Sequence, residues 1–243
     1  MLEESLCSKQ VTNRVRMSIA QPGLKALLEI VLNEWHFQPC DEAIDAGVML
    51  AEEGAIEPPH QQIIWLGTSS NTARGRLQFP LDLSDLYGLL EHRYHKPPRR
   101  HLRLALDRSC ELSVAGFNEP ATLASLSDRG CRLIFPRELA RNAMVELQHD
   151  LVGAPASLAG KVIYCVPRHR EGQELYYDLG LLFPDIDRSK REELLDFIVA
   201  SYFLKAQLRL PAGDFSAAIK CFALSDGARK YLAVLQGGVD PGG

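Results

Sequence analysis

The chain has 243 residues, of which 46% are hydrophobic and 24% charged, with 27 basic against 31 acidic side chains and a formal net charge of −4. That length exceeds one ordinary domain and suits two, while the acidic balance argues against broad nucleic-acid binding and leaves room only for a local anion site. No apolar run approaches the roughly 18 residues of a membrane span, residues 1–10 fit no signal peptide, and the six scattered cysteines form no CxxC pair, so a cytoplasmic protein with buried free thiols and no zinc site is expected.

Residues 14–19 (Arg-Val-Arg-Met-Ser-Ile) read as a short strand, and Gln21-Pro22-Gly23 opens a helix. Leu24, Leu27, Leu28, Val31 and Trp35 recur there at helical spacing and make one apolar stripe. His36 to Cys40 predicts a second strand, and Asp41 to Glu53 a helix weakened by Gly47 and stopped by Gly54. After Pro58-Pro59, Ile63-Ile64-Trp65-Leu66 reads as a fully buried strand. Thr68 to Gly75 is a polar loop, and Leu77-Gln78-Phe79 a further strand. Asp82 or Ser84 caps a helix to about His92, with Leu86, Leu89 and Leu90 inward. The order is that of an α/β domain with a parallel sheet over residues 1–92.

Arg93 to Arg100 is basic and carries Pro97-Pro98, which block helix continuation; residues 93–101 read as a linker. Beyond it the pattern turns to β. Strands are predicted over 102–114, 120–127, 130–135, 142–150, 158–166 and 173–183, separated by turn signals such as Asp128-Arg129-Gly130. Six short strands at this spacing predict a small antiparallel barrel over 102–210. A helix from about Ser189 to Leu208 closes it, and Pro211-Ala212-Gly213 ends that helix. The extension 211–243 holds a last helix at 214–224 or 226–236 and a terminal tail from Gly237.

Two short constellations carry chemistry. Between Arg93 and Arg103 lie five basic side chains, and no acidic residue falls between Glu91 and Asp107. Arg99 and Arg103 stand in R-x-x-x-R spacing with Arg100 beside them; alone, this is a solvated basic linker. Ser125-Leu126-Ser127-Asp128-Arg129-Gly130 joins two predicted strands. Its serine and glycine suit an anion-binding turn, the glycine by permitting φ > 0; alone, it is a hairpin turn.

In this order the two elements resemble the PilZ family, which carries R-x-x-x-R before the first barrel strand and [D/N]-x-S-x-x-G between its second and third strands. Arg99 and Arg103 match the first motif, Ser127 and Gly130 the second, and the resemblance extends over about 97–206, including the strand Tyr177 to Phe183. Ser125 departs from the pattern, standing where Asp or Asn is usual. The resemblance implies a receptor for the bacterial messenger cyclic di-GMP rather than an enzyme, with no other cofactor. Arg99, Arg100, Arg103, Ser125, Ser127 and Gly130 are then the ligand-binding residues, the arginines reaching in from a mobile linker whose ordering moves the domains. A downstream protein partner in motility, pilus or exopolysaccharide control follows from the same likeness, and a homodimer is compatible with it. The alternative is a PilZ-like interaction module that binds no nucleotide.

Residues 14–92 are similar to a response-regulator receiver domain, incomplete in the middle. Residues 14–20 resemble its first strand and Leu24 to Phe37 its first helix. Ile63 to Leu66 resembles the strand ending in the phosphoacceptor, and Phe79-Pro80 its closing segment. Ala20-Gln21, Gly67 and Phe79 stand where a receiver keeps its acidic pair, acceptor and lysine, and hard Mg²⁺ needs oxygen ligands. No phosphorylation is expected; a small unrelated α/β domain is the other reading, and either serves docking or dimerisation. The seven histidines are dispersed; His92, His95 and His101 lie in the basic stretch without nearby acidic partners, and no metal site is expected. No G-x-S-x-G, HExxH or P-loop appears.

Overall fold

The structure, a computed structural model, describes residues 13–41, 47–54, 62–68, 75–150, 155–169 and 175–237. The first half carries β1 (Arg14–Ser18), α1 (Pro22–Glu34), β2 (Gln38–Cys40), β3 (Val48–Glu52), β4 (Gln62–Gly67), β5 (Arg76–Gln78) and α2 (Leu83–Tyr94). All strand pairs are parallel, in the order β2-β1-β3-β4-β5. This is the flavodoxin-like order of doubly wound sheets. Helix α1 begins at Pro22, whose fixed φ suits a first turn, and buries Leu24, Leu27, Leu28, Val31 and Leu32. Asp82 caps α2 by accepting from the Ser84 and Asp85 amides at 2.6 and 3.1 Å.

Two expectations are corrected here. The helix predicted over 41–53 is absent where it is described: Val48–Glu52 is the central strand, with Val48, Met49, Leu50 and Ala51 all buried. A strand covered on both faces is a continuous apolar run, which spacing cannot tell from a short buried helix. Residues 42–46 lie outside the described residues, as does Pro58-Pro59. In consequence Ile63 to Leu66 is the fourth strand, and the third ends at Glu52, not before Gly67. The connections 41–47, 53–61 and 68–75 lie largely outside the described residues.

The second half is a closed antiparallel barrel. Its strands are β6 (Leu104–Val114), β7 (Phe117–Ser127), β8 (Gly130–Phe135), β9 (Met144–Asp150), β10 (Pro155–Arg168) and β11 (Tyr176–Leu182), ordered β10-β11-β8-β7-β6-β9. Alternation fills the interior: Cys131, Leu133 and Phe135 of β8 and Val145 and Leu147 of β9 point inward. Helix α3 (Arg188–Gln207), capped by Asp187 through the Lys190 amide at 2.7 Å, closes the domain as predicted. In place of the single last helix expected at 214–224 or 226–236, two helices are present, α4 (Ala212–Ala218) and α5 (Asp226–Gly237), and Ala212-Gly213 opens the first of them. Residues 238–243 of the predicted tail lie outside the described residues. No helix among the described residues is long and apolar enough to cross a membrane.

The halves share one core. Trp35 packs edge-on against Tyr87 at 5.1 Å and against Tyr202 of α3 at 6.0 Å. Glu34 pairs with Lys205 at 2.5 Å and Arg209 at 3.3 Å. After α4 the chain returns to the first half as an isolated bridge ahead of α2: the Leu81 amide donates to Cys221 O at 2.7 Å and the Ala223 amide to Leu81 O at 2.8 Å. A Cβ added at Gly23 would stand 2.8 Å from Asp214 O, so only glycine lets α4 lie this close to α1.

Candidate ligand-binding site

The segment entering β6, the β7–β8 turn and the outer face of β10 and β11 enclose a cavity of about 430 Å3. Arg99, Arg100 and Arg103, all exposed, line it from the entering segment. Ser125, Ser127 and Gly130 line it from the turn. The structure therefore brings all six residues singled out in the sequence to one hollow. His101, Arg129 and Arg132 add further cationic or protonatable groups, and Ile163, Tyr164 and Leu182 supply an apolar wall.

The entering segment is tethered rather than free. The Arg99 amide donates to Glu91 Oε2 at 3.1 Å, and Glu91 is only 1% exposed on α2. Burial, with the Glu91 carboxylate next in weight, pushes the neighbouring Tyr87 phenol up to about 12. The Tyr202 hydroxyl donates to the Arg103 carbonyl. Burial first of all drives the Tyr202 pKa well above that of an ordinary phenol, so this donor keeps its proton. His101 Nδ1 lies 2.9 Å from Asp128 Oδ1, whose other oxygen accepts from Arg191 of α3 at 3.3 Å. The expectation that His95 and His101 lack acidic partners is thus corrected: Glu91 stands 3.8 Å from His95, and Asp128 reaches His101 from a distant turn.

Within the turn, Ser127 is 7% exposed. Its hydroxyl donates to Gly130 O at 3.0 Å and accepts from the Arg129 amide at 3.4 Å. The serine therefore shapes the turn and directs Arg129, as local side-chain-to-backbone bonds do. Gly130 is needed for a reason other than the one expected. Its φ is not positive; instead a Cβ there would fall 2.1 Å from Leu181 O, so the glycine admits close approach of β11.

Two bulges aim the walls. In β7 the register shifts between Leu123 and Ser125, placing Ser125 opposite Arg132. In β10 it shifts between Val162 and Tyr164, and Ile163 and Tyr164 both face outward. A bulge adds one residue to one strand and re-aims its side chain, so strict alternation would have buried Tyr164. His101 and Arg129 lie within the two motifs and Arg132 two residues beyond the second, so their nearness in sequence was a usable signal; Tyr164, Gly180 and Leu182 sit on strands that nothing local ties to the motifs. Among the described residues no cluster of three His, Cys, Asp or Glu could hold a metal ion.

A six-stranded barrel closed by a helix, with an arginine-rich entry segment over a serine–glycine turn, defines the class to which this half corresponds. Residues 97–200 match the PilZ domain model. Similar solved structures include MrkH of K. pneumonia in its apo state, 19% identical with a TM-score of 0.38, covering 46% of this chain and 53% of that one. The PilZ domain of YcgR from Escherichia coli, solved with c-di-GMP, is 17% identical with a TM-score of 0.37, over 46% of this chain and 95% of that one. PlzA of Borreliella burgdorferi, in complex with c-di-GMP, is 14% identical with a TM-score of 0.31, over 45% of each chain. The match spans about half the length of the MrkH structures. No curated protein matches the chain.

Proposed function

We propose that the chain is a cyclic di-GMP receptor. The observation that carries this reading is the convergence of Arg99, Arg100 and Arg103 with the 125–130 turn on one cavity of about 430 Å3. In a protein of net charge −4, that cavity gathers five arginines. The ligand has two phosphate charges and two guanines. A guanidinium grips phosphate or the guanine O6/N7 edge through its planar fork and also stacks on a base. Exposed arginines on a backbone held by Glu91, Tyr202 and Asp128 offer such forks with little of the entry segment left to order.

The tethers suggest how binding is transmitted. Arg99 is tied to α2, Arg103 to α3 through Tyr202, and His101 to α3 through Asp128 and Arg191. Ligand that draws this segment toward the barrel pulls on both sides of the Trp35–Tyr202 contact and biases the arrangement of the halves or the binding of a protein partner. The first half is read as a receiver-like docking module without phosphotransfer chemistry. Its strand order supports the likeness; Ala20-Gln21 and Phe79 leave no acidic pair and no lysine, and Glu52 rather than an aspartate ends β3.

Isothermal titration tests the receptor reading. Cyclic di-GMP is expected to bind the intact chain with measurable heat, and Arg103→Ala to lose most of the affinity, since a charge-assisted hydrogen bond contributes roughly 1.5–3 kcal/mol. Unchanged heats in that variant contradict the assignment. No heat with the intact chain leaves the interaction-module reading.

A further inference from the structure

Tyr164, Gly180, Arg132 and Ser125 lie in one row across the barrel. Tyr164 pairs with Gly180, Gly180 with Arg132, and Arg132 with Ser125. Neighbouring strands are about 4.8 Å apart, so the row of backbones runs roughly 14 Å from Ser125 to Tyr164, and the tyrosine ring lies back over Gly180. Gly180 sets the height of that ring. A Cβ at 180 would fall 2.1 Å from Tyr164 Cε1, so the phenol lies directly on the β11 backbone. The ring nonetheless remains 39% exposed and lines the cavity. Covering a strand glycine explains the inner face of the ring. It does not explain the β10 bulge, which spends a residue to turn an aromatic side chain out beside Arg132.

Resting on the receptor reading above, we propose that Tyr164 is the base-stacking platform of the cavity, taking the face of one guanine while Arg132 reaches its O6/N7 edge. Arg132 is free enough to do so. It is half exposed, and its nearest carboxylate, Asp178, is 3.7 Å away and shared with Arg168 at 3.5 Å. Two arginine donors against O6 and N7 suit guanine; adenine would set its N6 amino donor against them. Burial, together with Asp178, raises the phenol pKa, while Arg132 and Arg103 act in the opposite sense; the ring presents an uncharged π-face at neutral pH.

Titration of cyclic di-GMP into the intact chain, Tyr164→Phe and Tyr164→Leu separates this inference from the one beneath it. Loss of an aromatic platform is expected to weaken binding about ten- to a hundred-fold in Tyr164→Leu, while Tyr164→Phe, which keeps the ring face, stays within about two-fold. Should the leucine variant fail to fold, the guanine H8 resonance in the wild-type complex decides: an upfield ring-current shift supports the platform, and its absence overturns it. Binding to Tyr164→Leu as tight as to wild type overturns the platform and leaves the receptor standing. A wild-type chain that binds nothing removes both.

Discussion

At the scale of single residues, the site depends on what each polar atom is already doing. Ser127 already bonds within its own turn, and Asp128 pairs with His101 and Arg191. Ser125 is different. It is half-buried on the cavity wall, opposite Arg132, and stands where the resembled motif carries Asp or Asn. A carboxylate there accepts from the polar edge of a guanine, a charge-assisted bond worth roughly 1.5–3 kcal/mol. Ser125→Asp is therefore expected to tighten cyclic di-GMP binding about ten-fold or more by titration. Weaker binding would mean that Arg132 captures the new carboxylate instead.

Elements bring these residues together through close backbone contacts and bulges. β8 and β11 meet where Gly130 faces the Leu181 carbonyl. Gly130→Ala places a methyl against backbone that cannot rotate away, so the two strands must separate. Overpacking of this kind costs about 1–3 kcal/mol, and a lower urea midpoint with unchanged slope is the expected reading. A midpoint equal to wild type would show that the strands accommodate a Cβ after all. Six strand runs with turn signals between them made the barrel legible before any coordinates. The two bulges were not: each adds a single residue, Ala124 or Ile163, to a run whose composition is ordinary for a strand.

For the whole molecule, the decisive feature is that the halves do not fold around separate cores. The hydrophobic cluster runs continuously from Leu24 and Trp35 through Tyr202 and Phe203 into the barrel, and the segment after α4 pairs with Leu81. One calorimetric transition is expected in place of two, and on the proposed receptor function cyclic di-GMP shifts it upward by binding only the folded chain. Two resolved transitions would show that the shared core contributes little to cooperativity. The same continuity gives the site its reach, because α3 touches both the entry segment through Tyr202 and the first half through Lys205 and Arg209.

The sequence by itself determined the barrel, its closing helix and the two short motifs, because alternation, turn residues and R-x-x-x-R spacing are all local properties of the chain. It assigned the central strand of the first half to a helix, since Val48 to Ala51 is apolar on both faces and so has no period to read. Only the tertiary structure decided that Glu91 and Asp128 hold the arginine segment in place and that Tyr164 turns outward beside Arg132. Asp128 and His101, like Tyr164 and Arg132, are separated by tens of residues along the chain, and closure of the barrel makes them neighbours; Glu91 is only eight residues from Arg99 but is buried on α2, outside the barrel.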